Sequence, residues 1–463
     1  MKRFLLSVTI LFCAITGVTA QSYMNEWIDF NKTYFKFKVG ATGVYRISQS
    51  QLSAMGIANA DAAHFQLWRN GQQIPVYTSA ASGALPSNGF IEFWGQINDG
   101  KWEKRMYLDP SYQINDNWSV YTDTSAYFLT VNTVASENKR FVETTNDLAS
   151  PLPAEQFFIH KASLNYRNIQ NLGFAAVVGS YVYSSSFDRG EGYTSSEFRP
   201  ANPLVSTQNN LFVAAGGPNA KLKFSAVGRA LNIRSVRVSV NGTMVTEKEM
   251  NYFNSIIDES ASDIPLALIA TNTASFEFRN LSAEVTDRMV VGMYELSYPR
   301  QFNFGNQTNF EFELPASASG YNLIIDNFNF GAVAPVLYDI TNGLRITASI
   351  VSPTQIRVVL PASASARKLV LISQESGNIR SVTNFISRNF TNYALQVNQA
   401  NYIIISNPRL YNDGNGVNQV DEYRKYRSSS AGGGFNAKIY DVQDIIDQFG
   451  YGIKNNAIGV KNF

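Results

Sequence analysis

The stretch YIIISNPRLY at residues 402–411 marks the point where the character of the chain changes. Its continuous apolar run is typical of a strand buried on both faces of a parallel sheet. About thirty residues later, KIYDVQDIIDQFGYG at 438–452 begins with a second short apolar strand and continues with helical periodicity. The two stretches therefore predict consecutive strand-helix units, the opening of an α/β domain.

Two helices are predicted to follow these two strands. The first lies in VNQVDEYRKYR and is stopped by SSSAGGG at 428–434. In the second, Asp441 is suited to cap the helix and Gly450 to end it. Its apolar positions fall on one face: Val442, Ile445, Ile446 and Phe449. Because two strands and two helices cannot close an α/β core, we expect this domain to be truncated here and to continue beyond Phe463.

The residues before this point have the pattern of half-buried β-strands. Aromatic residues make up 13% of the chain and are mainly Phe (31) and Tyr (24), which favour strands. We predict a mainly β fold with an N-terminal β-rich domain at 21–150, a β-sandwich at 151–300 and a smaller one at 301–398. The sandwiches are expected to be of the jelly-roll or immunoglobulin-like kind. The start of the α/β domain then occupies 399–463.

Local turn signals refine this prediction. YFKFKVGATGVYRIS at 34–48 has alternating apolar residues on both sides of a short glycine-containing turn, which predicts a hairpin. Two further hairpins are predicted to turn on Asn70-Gly71 and on Asn241-Gly242. A short helix is expected in QSQLSAMGI, ending at Gly56.

The N-terminus has the three parts of a secretory signal peptide at 1–20. Lys2 and Arg3 form the basic region, an apolar core follows, and VTA at 18–20 supplies a cleavage site. We therefore expect export across the inner membrane to the periplasm, the outer-membrane surface or the medium. Cys13 is the only cysteine and would leave with this peptide, so the mature chain would have no disulfide, thiolate metal site or cysteine nucleophile.

Charge gives no indication of nucleic-acid binding, and hydropathy gives none of a transmembrane span. Removal of the signal peptide lowers Lys plus Arg from 38 to 36, equal to the 36 Asp plus Glu. A neutral chain gives no reason to expect nucleic-acid binding. No later stretch has the run of about 18 apolar residues that predicts a transmembrane span.

The polar residue patterns do not indicate a catalytic, cofactor-binding or metal site. His64 and His160 lie far apart on predicted strands or strand edges, and we interpret both as structural. The loop NDGNG at 412–416 follows a predicted strand but fails the calcium-loop template at the first ligand position. SSSAGGGF lacks the G-K-S/T ending of a phosphate-binding loop and follows a helix.

Acidic pairs and tryptophans are interpreted in the same way. The pairs Asp441 with Asp444 and Asp258 with Glu259 are expected to be solvated helix or loop residues. Three tryptophans lie close together in sequence and could form a sugar-stacking platform, but core packing is the preferred interpretation: Trp94, Trp102 and Trp118.

Three stretches resemble the gingipain-type cysteine peptidase family, in the branch of the sortase-like subunits of the Bacteroidota type IX secretion system. The first is YFKFKVGATGVYRISQSQLSAMGI with LWRNGQQIPVY and GFIEFWGQINDG after it. The second runs from YELSYPRQFNF through PVLYDITNGLRI. The third is NYIIISNPRL followed by VDEYRKYRSSSAGGGFNAKIYDVQDIIDQFGYG, which resembles the opening of the catalytic domain.

The resemblance implies a caspase-like fold for the last domain and a His–Cys dyad in which the His acts on the Cys thiol. No position in this sequence matches either residue, so no catalytic residue, cofactor or metal ligand is assigned. The resemblance implies the N-terminal part of a secreted cysteine endopeptidase, inactive as a chain of this length. The intact enzyme would act on protein or peptide substrates, in one reading as the sortase-like processing peptidase working with type IX components.

A second hypothesis remains open. The chain could be a non-catalytic envelope protein whose β-sandwiches bind a protein or glycan partner, with a vestigial α/β tail.

Overall fold

The computed structural model describes residues 23–149, 151–175, 179–181 and 186–463. The predicted signal peptide at 1–20 lies outside these residues. Among the helices of the described part, none has the length and apolar character needed to cross a membrane.

The strands in the N-terminal part are β1 (Thr33–Val39), β2 (Gly43–Ser48), β3 (Phe65–Arg69), β4 (Gln72–Ile74), β5 (Tyr77–Thr78), β6 (Phe90–Gly95), β7 (Ser125–Val131) and β8 (Val142–Glu143). Those in the middle are β9 (Phe158–Asn165), β10 (Ile169–Asn171), β11 (Phe174–Ala175), β12 (Ser180–Tyr181), β13 (Gly192–Thr194), β14 (Leu204–Asn209), β15 (Ala220–Gly228), β16 (Ser235–Val240), β17 (Thr243–Glu249), β18 (Ser255–Ile264), β19 (Thr273–Asn280) and β20 (Met289–Arg300).

The later strands are β21 (Asn303–Gln307), β22 (Asn309–Leu314), β23 (Tyr321–Phe328), β24 (Val336–Asp339), β25 (Leu344–Thr347), β26 (Ser349–Ser352), β27 (Gln355–Leu360), β28 (Arg367–Ile372), β29 (Ile379–Ser381), β30 (Ile386–Asn389), β31 (Tyr402–Ser406) and β32 (Ala437–Asp441). The α-helices are α1 (Gln49–Ala54), α2 (Gln419–Ser428), α3 (Val442–Phe449) and α4 (Ile458–Asn462). Short 3₁₀ turns cover Ala62–His64, Lys101–Met106, Pro110–Tyr112, Ala135–Glu137, Leu266–Ile269, Ser376–Asn378, Gln396–Asn398, Pro408–Leu410 and Ser430–Gly432.

The first sandwich packs two sheets face to face. One has the strand order β30-β1-β7-β3-β4 and the other β29-β2-β6-β5. Alternate side chains of both sheets meet in one core, for example Phe37 on β1, Ile47 on β2 and Phe93 on β6. Burying these side chains is the main stabilising contribution of a fold without disulfides.

The predicted hairpin between β1 and β2 is wrong. The two strands lie in opposite sheets, where β1 pairs with β7 and β30 and β2 pairs with β6 and β29. The short turn between them crosses from one sheet to the other, so Phe37 and Ile47 face each other across the core. Alternation of apolar residues is the same in both arrangements, which is why the sequence pattern did not distinguish them.

The other local predictions are confirmed. β3 and β4 form a hairpin on Asn70 and Gly71, both with positive φ, and β16 and β17 do the same on Asn241 and Gly242. This is the backbone that a tight two-residue hairpin requires. Helix α1 begins at a capping box and ends before Gly56, whose φ is 75°.

The second and third sandwiches follow along the chain. The second pairs sheet β18-β15-β20-β9 with sheet β14-β19-β16-β17 around a core that includes Phe224, Phe276 and Tyr294. The third pairs sheet β21-β23-β27-β26 with sheet β22-β28-β24-β25-β8 around Phe304 and Leu369. A mainly β chain of tandem sandwiches leading into an α/β segment is therefore confirmed.

Strand pairing connects parts of the chain that are distant in sequence. β29 and β30, at residues 379–389, complete both sheets of the first sandwich, and β8 extends a sheet of the third. The sequence-based domain boundaries stay a prediction. They did not anticipate that β8, β29 and β30 pair with strands of a different predicted domain.

Candidate functional site in the C-terminal segment

The C-terminal segment is built on two parallel strands. β31 and β32 pair in register from Tyr402 opposite Ala437 to Ser406 opposite Asp441. Helix α2 lies between them in sequence and α3 follows β32 directly. In such a unit the carboxyl ends of the strands meet at one edge of the sheet, which is where α/β proteins place their reacting groups.

Strand β31 is less buried than its apolar sequence indicates. Ile403 is 54% exposed and Ile405 is 37% exposed. Side chains on the opposite face are partly covered, and the Tyr402 hydroxyl lies 2.8 Å from that of Tyr423 on α2. The prediction of a strand buried on both faces is therefore wrong for the described residues, because α2 covers only one face of β31.

Side chains at the carboxyl edge bind their own backbone. The Asn407 side chain accepts a hydrogen bond from the Arg409 amide at 3.0 Å. In the loop NDGNG, the carboxylate of Asp413 accepts from the amides of Asn415 at 2.8 Å and Val417 at 3.2 Å. These bonds shape the turns at this edge.

Asp441 lies at the end of β32 and caps α3. Its carboxylate accepts a hydrogen bond from the amide of Gln443 at 2.8 Å, as predicted. Of the predicted apolar face of α3, Ile445, Ile446 and Phe449 are buried and Val442 is partly buried, and Gly450 follows the last residue as predicted. In the part of the chain that the structure describes, no group of three or more His, Cys, Asp or Glu side chains is placed to hold a metal ion.

Helix α3 is attached to the first sandwich by a buried ion cluster. Asp447 is 1% exposed and its carboxylate accepts from Lys36 Nζ on β1 and, at 2.8 Å, from Arg388 Nε on β30. Arg388 Nη1 also lies 3.8 Å from the carboxylate of Asp444. Two cations thus face two carboxylates, which compensates the cost of removing these charges from water.

An aromatic contact accompanies the ion cluster. The ring of Tyr451 lies edge-on to Trp102, with 4.9 Å between ring centroids, in an apolar cluster that also contains Phe128 and Ile458. Tyr451 also lies over the β3–β4 turn, where a Cβ added to Gly71 would come within 2.5 Å of its ring. The C-terminal segment therefore packs on the outer face of the first sandwich.

The acidic pair Asp441 and Asp444 is part of this arrangement. Burial raises the pKa of Asp444, and the charge of Asp441 adds to the increase, while Arg388 opposes it. The second pair lies on β18, where Asp258 and Glu259 each approach a lysine, at 3.5 Å and 2.6 Å. Both pairs have structural partners.

The two histidines lie in different parts of the fold. His160 stacks on Phe310 with 5.4 Å between ring centroids and lies edge-on to Tyr298, between the second and third sandwiches. Burial lowers its pKa to about 4, with a smaller contribution from Arg300, so it is neutral at pH 7. His64 ends a 3₁₀ turn, and its carbonyl accepts from the amide of Asn132.

The three tryptophans also pack against protein groups. Trp94 is buried between the first and third sandwiches, and Trp102 contacts Tyr451. Trp118 donates to the carbonyl of Asn165 at 3.2 Å and carries the guanidinium of Arg167 at 4.8 Å from its ring centre. They do not form a shared exposed platform.

Sequence reasoning missed Lys36, Arg388 and Asp447. Lys36 occupies a polar position of an alternating strand, and Asp447 lies beside the apolar stripe of α3. Both patterns also fit solvated side chains, so no local signal distinguished them from surface charges.

Comparison with known proteins identifies the segment. Residues 396–463 match the model of Peptidase family C25. The whole fold is similar to the crystal structure of dimeric latent PorU from Porphyromonas gingivalis, with a TM-score of 0.57 and 12% identity over 96% of this chain and 40% of that one. This chain thus spans 40% of the length of the PorU chain.

Smaller similarities concern carbohydrate-binding modules. A CBM36 module in complex with calcium and xylotriose has 14% identity and a TM-score of 0.19, over 29% of this chain and 99% of the module. The CBM36-1 domain of a xylanase from the hindgut metagenome of Trinervitermes trinervoides has 7% identity and a TM-score of 0.19, over 30% and 96%. No curated protein matches the sequence significantly.

The fold and the C-terminal segment define a class, namely proteins in which tandem β-sandwiches lead into an α/β segment. The family match at 396–463, together with the PorU-like fold, supports the resemblance to the gingipain-type peptidases of family C25.

Proposed function

We propose that this chain is the N-terminal part of a secreted gingipain-type cysteine endopeptidase, whose sandwiches hold the first units of the peptidase domain in place. One observation carries the proposal. The residues that match the family model, 396–463, are those that form the parallel strand-helix units seated on the first sandwich.

The reaction would follow from the family's chemistry. A Cys thiolate attacks the peptide carbonyl after a His has taken the thiol proton, and an acyl-enzyme forms and is hydrolysed. Residues 21–463 contain no cysteine. The proposal therefore places the His and the Cys in sequence beyond residue 463, on later strands of the same sheet.

The finer role is that of the sortase-like processing peptidase of type IX secretion. The PorU-like fold supports it, and the predicted signal peptide at 1–20 supports export to the periplasm, outer-membrane surface or medium. Protein or peptide chains would be the substrates, and type IX components would be the partners.

Reading the open frame beyond the codon for Phe463 tests the proposal. We expect a continuation that supplies a His followed by a Cys in an α/β context. The longer protein should then cleave peptides and lose this activity when that Cys is changed to Ala.

The 463-residue chain is the matched control. After removal of the predicted signal peptide it should show no thiol-dependent cleavage, because residues 21–463 contain no cysteine. Turnover by this chain that a thiol-directed inhibitor blocks would contradict the proposal. A stop codon after Phe463, with a cellular protein of that mass, would instead favour a non-catalytic envelope protein that binds a protein or glycan partner.

A further inference from the structure

The turn at 187–191 joins the first and second sandwiches. The amide of Phe187 donates to the carbonyl of Met106 at 2.7 Å, and the amide of Leu108 donates to the carbonyl of Phe187 at 2.9 Å. The Tyr107 hydroxyl donates to the backbone carbonyl of Glu191 at 2.7 Å. A loop of the N-terminal part is therefore held directly against a turn of the second sandwich.

Two carboxylates are buried in this turn. Asp188 is 5% exposed and Glu191 is 9% exposed. A Glu191 carboxylate oxygen accepts from the Asp188 amide at 3.1 Å, and a Cβ added to Gly173 would lie 2.5 Å from Asp188 Cβ and 3.0 Å from Glu191 Oε2. The two side chains therefore both pack closely against Gly173.

No cation of the described residues compensates these charges. The neighbouring Arg189 turns away, with its guanidinium 4.5 Å from the ring centre of Tyr112. Two buried like charges without a counterion are costly to the fold, which is the situation that a bound metal ion relieves.

The side chain of Asn171 binds the backbone of the same turn. The Asn171 side chain is 1% exposed, and its Nδ2 donates to the carbonyl of Gly190, between the two acids in sequence, at 2.7 Å. Its Oδ1 has no hydrogen-bond partner among the described residues. A buried amide oxygen without a partner is unfavourable unless a ligand occupies that position.

We propose that Asp188, Glu191 and the amide oxygen of Asn171 form a calcium site that fastens the first sandwich to the second. The donors are all oxygens, which suits a hard cation, and the set has no imidazole or thiolate for zinc. Two carboxylates and an amide oxygen can supply up to five of the six to eight calcium ligands, and water can supply the rest.

Calcium binding by the full chain is the direct test. We expect isothermal titration of the EDTA-treated protein with CaCl₂ to show one ion per chain, with a Kd on the order of 10⁻⁴ M, as in extracellular modules. Millimolar calcium should raise the Tm by roughly 3–5 °C, because the ion binds only the folded state. Magnesium should do this poorly, since it prefers a smaller and more rigid octahedral shell.

Variants distinguish a calcium ligand from a structural carboxylate. Asp188→Asn and Glu191→Gln should abolish the calcium-dependent rise in Tm, while their Tm in EDTA should equal or exceed that of the wild type because one of two like charges is removed. Asn171→Ala should weaken calcium binding while both carboxylates remain. Asp413→Asn, in the exposed loop NDGNG, is the matched control and should retain the full response.

Three results would overturn the proposal. One is the absence of calcium binding by the wild type in titration. Another is a calcium response that persists in both Asp188→Asn and Glu191→Gln, which would place the ion elsewhere. A third is a loss of stability in these variants that is equal with calcium and with EDTA, since that would show a purely structural role.

Discussion

The packing of the C-terminal segment against the first sandwich depends most directly on Asp447. It brings together Lys36, from the first strand of the first sandwich, and Arg388, from the last. Removing one member of a buried ion cluster leaves the other charges buried without compensation, which is strongly destabilising. Replacing the whole cluster by apolar residues would change the stability much less.

We therefore predict that Asp447→Asn lowers the free energy that holds α3 against the first sandwich by about 3 kcal/mol, since Lys36 remains buried with a weaker partner. Amide hydrogen exchange across 442–453 should accelerate in this variant. Asp421→Asn is the control, because Asp421 forms its ion pair with Arg424 on the exposed helix α2. Exchange of 442–453 that is unchanged in Asp447→Asn would contradict the prediction.

Glu103 gives a second prediction at this scale, for pH dependence. The side chain is 1% exposed and binds the Ser119 hydroxyl and the Val120 amide. Burial raises its pKa from 4.5 to about 7, so between these values the folded protein holds a proton that the unfolded chain releases. Its contribution to stability is therefore fully present below pH 4.5 and is lost as the pH rises through about 7.

We predict that Glu103→Gln removes this part of the pH dependence, which amounts to about 3 kcal/mol over that interval. The measurement is the Tm of both proteins from pH 4.5 to 8. The difference between them should change steadily in favour of the variant as the pH rises. Parallel curves for the two proteins would show that Glu103 does not titrate in this way.

At the scale of elements, the two Asn-Gly hairpin turns form a matched pair. Both glycines have positive φ, 69° at Gly71 and 82° at Gly242. A Cβ at Gly242 would meet nothing within 4 Å, whereas one at Gly71 would overlap the ring of Tyr451. The same turn therefore carries an added packing function in the first sandwich only.

We predict that Gly242→Ala costs about 1 kcal/mol, for the left-handed backbone alone. Gly71→Ala should cost that amount and roughly 1–3 kcal/mol more, because the buried ring of Tyr451 must move. Hydrogen exchange at 449–453 should accelerate in Gly71→Ala and stay unchanged in Gly242→Ala. Equal exchange in the two variants would rule out the packing role.

Local elements were the part of the fold that the sequence predicted well. Helix α3 could be read from its cap at Asp441, its apolar stripe and Gly450, because each of these acts within a few residues. The β1–β2 hairpin was wrong, since the alternation of Phe37 and Ile47 does not say whether two strands are neighbours or face each other. The burial of β31 was overestimated, because an apolar run does not reveal what covers it.

The same limit applies to the candidate site. The family resemblance located the segment that matches the peptidase family model, but the surface on which it packs could not be predicted, because Lys36, Arg388 and Asp447 meet only after distant strands have paired. Sequence alone likewise gave Asn171, Asp188 and Glu191 no distinguishing feature. They became noticeable because the two acids are buried with no cation among the described residues beside them and the Asn171 amide oxygen has no hydrogen-bond partner there, which only the three-dimensional structure reveals.

At the scale of the whole molecule, the sandwiches differ in how self-contained they are. The eight strands of the second sandwich all lie within 158–300, whereas the first requires β29 and β30 from 379–389. A sandwich that lacks these strands exposes unpaired edges on both sheets, which favours aggregation.

We predict that a fragment of residues 155–302 folds and unfolds cooperatively in urea, and that a fragment of residues 21–150 does not. Joining 376–391 to the end of the second fragment through a flexible linker should restore cooperative folding. Circular dichroism during urea titration measures both. Cooperative unfolding of 21–150 alone would show that β29 and β30 are dispensable.

The late position of β30 has a consequence for how the molecule is made. Thr33 on β1 bonds to Asn389 on β30, 356 residues further along the chain. Because the chain is made and exported from its N-terminus, the earliest strand has no final neighbour on one side until these later residues have followed. The first sandwich is therefore begun first and closed last. The strand that closes it carries Arg388, so the surface that receives Asp447 is completed just before Asp447 itself is synthesised.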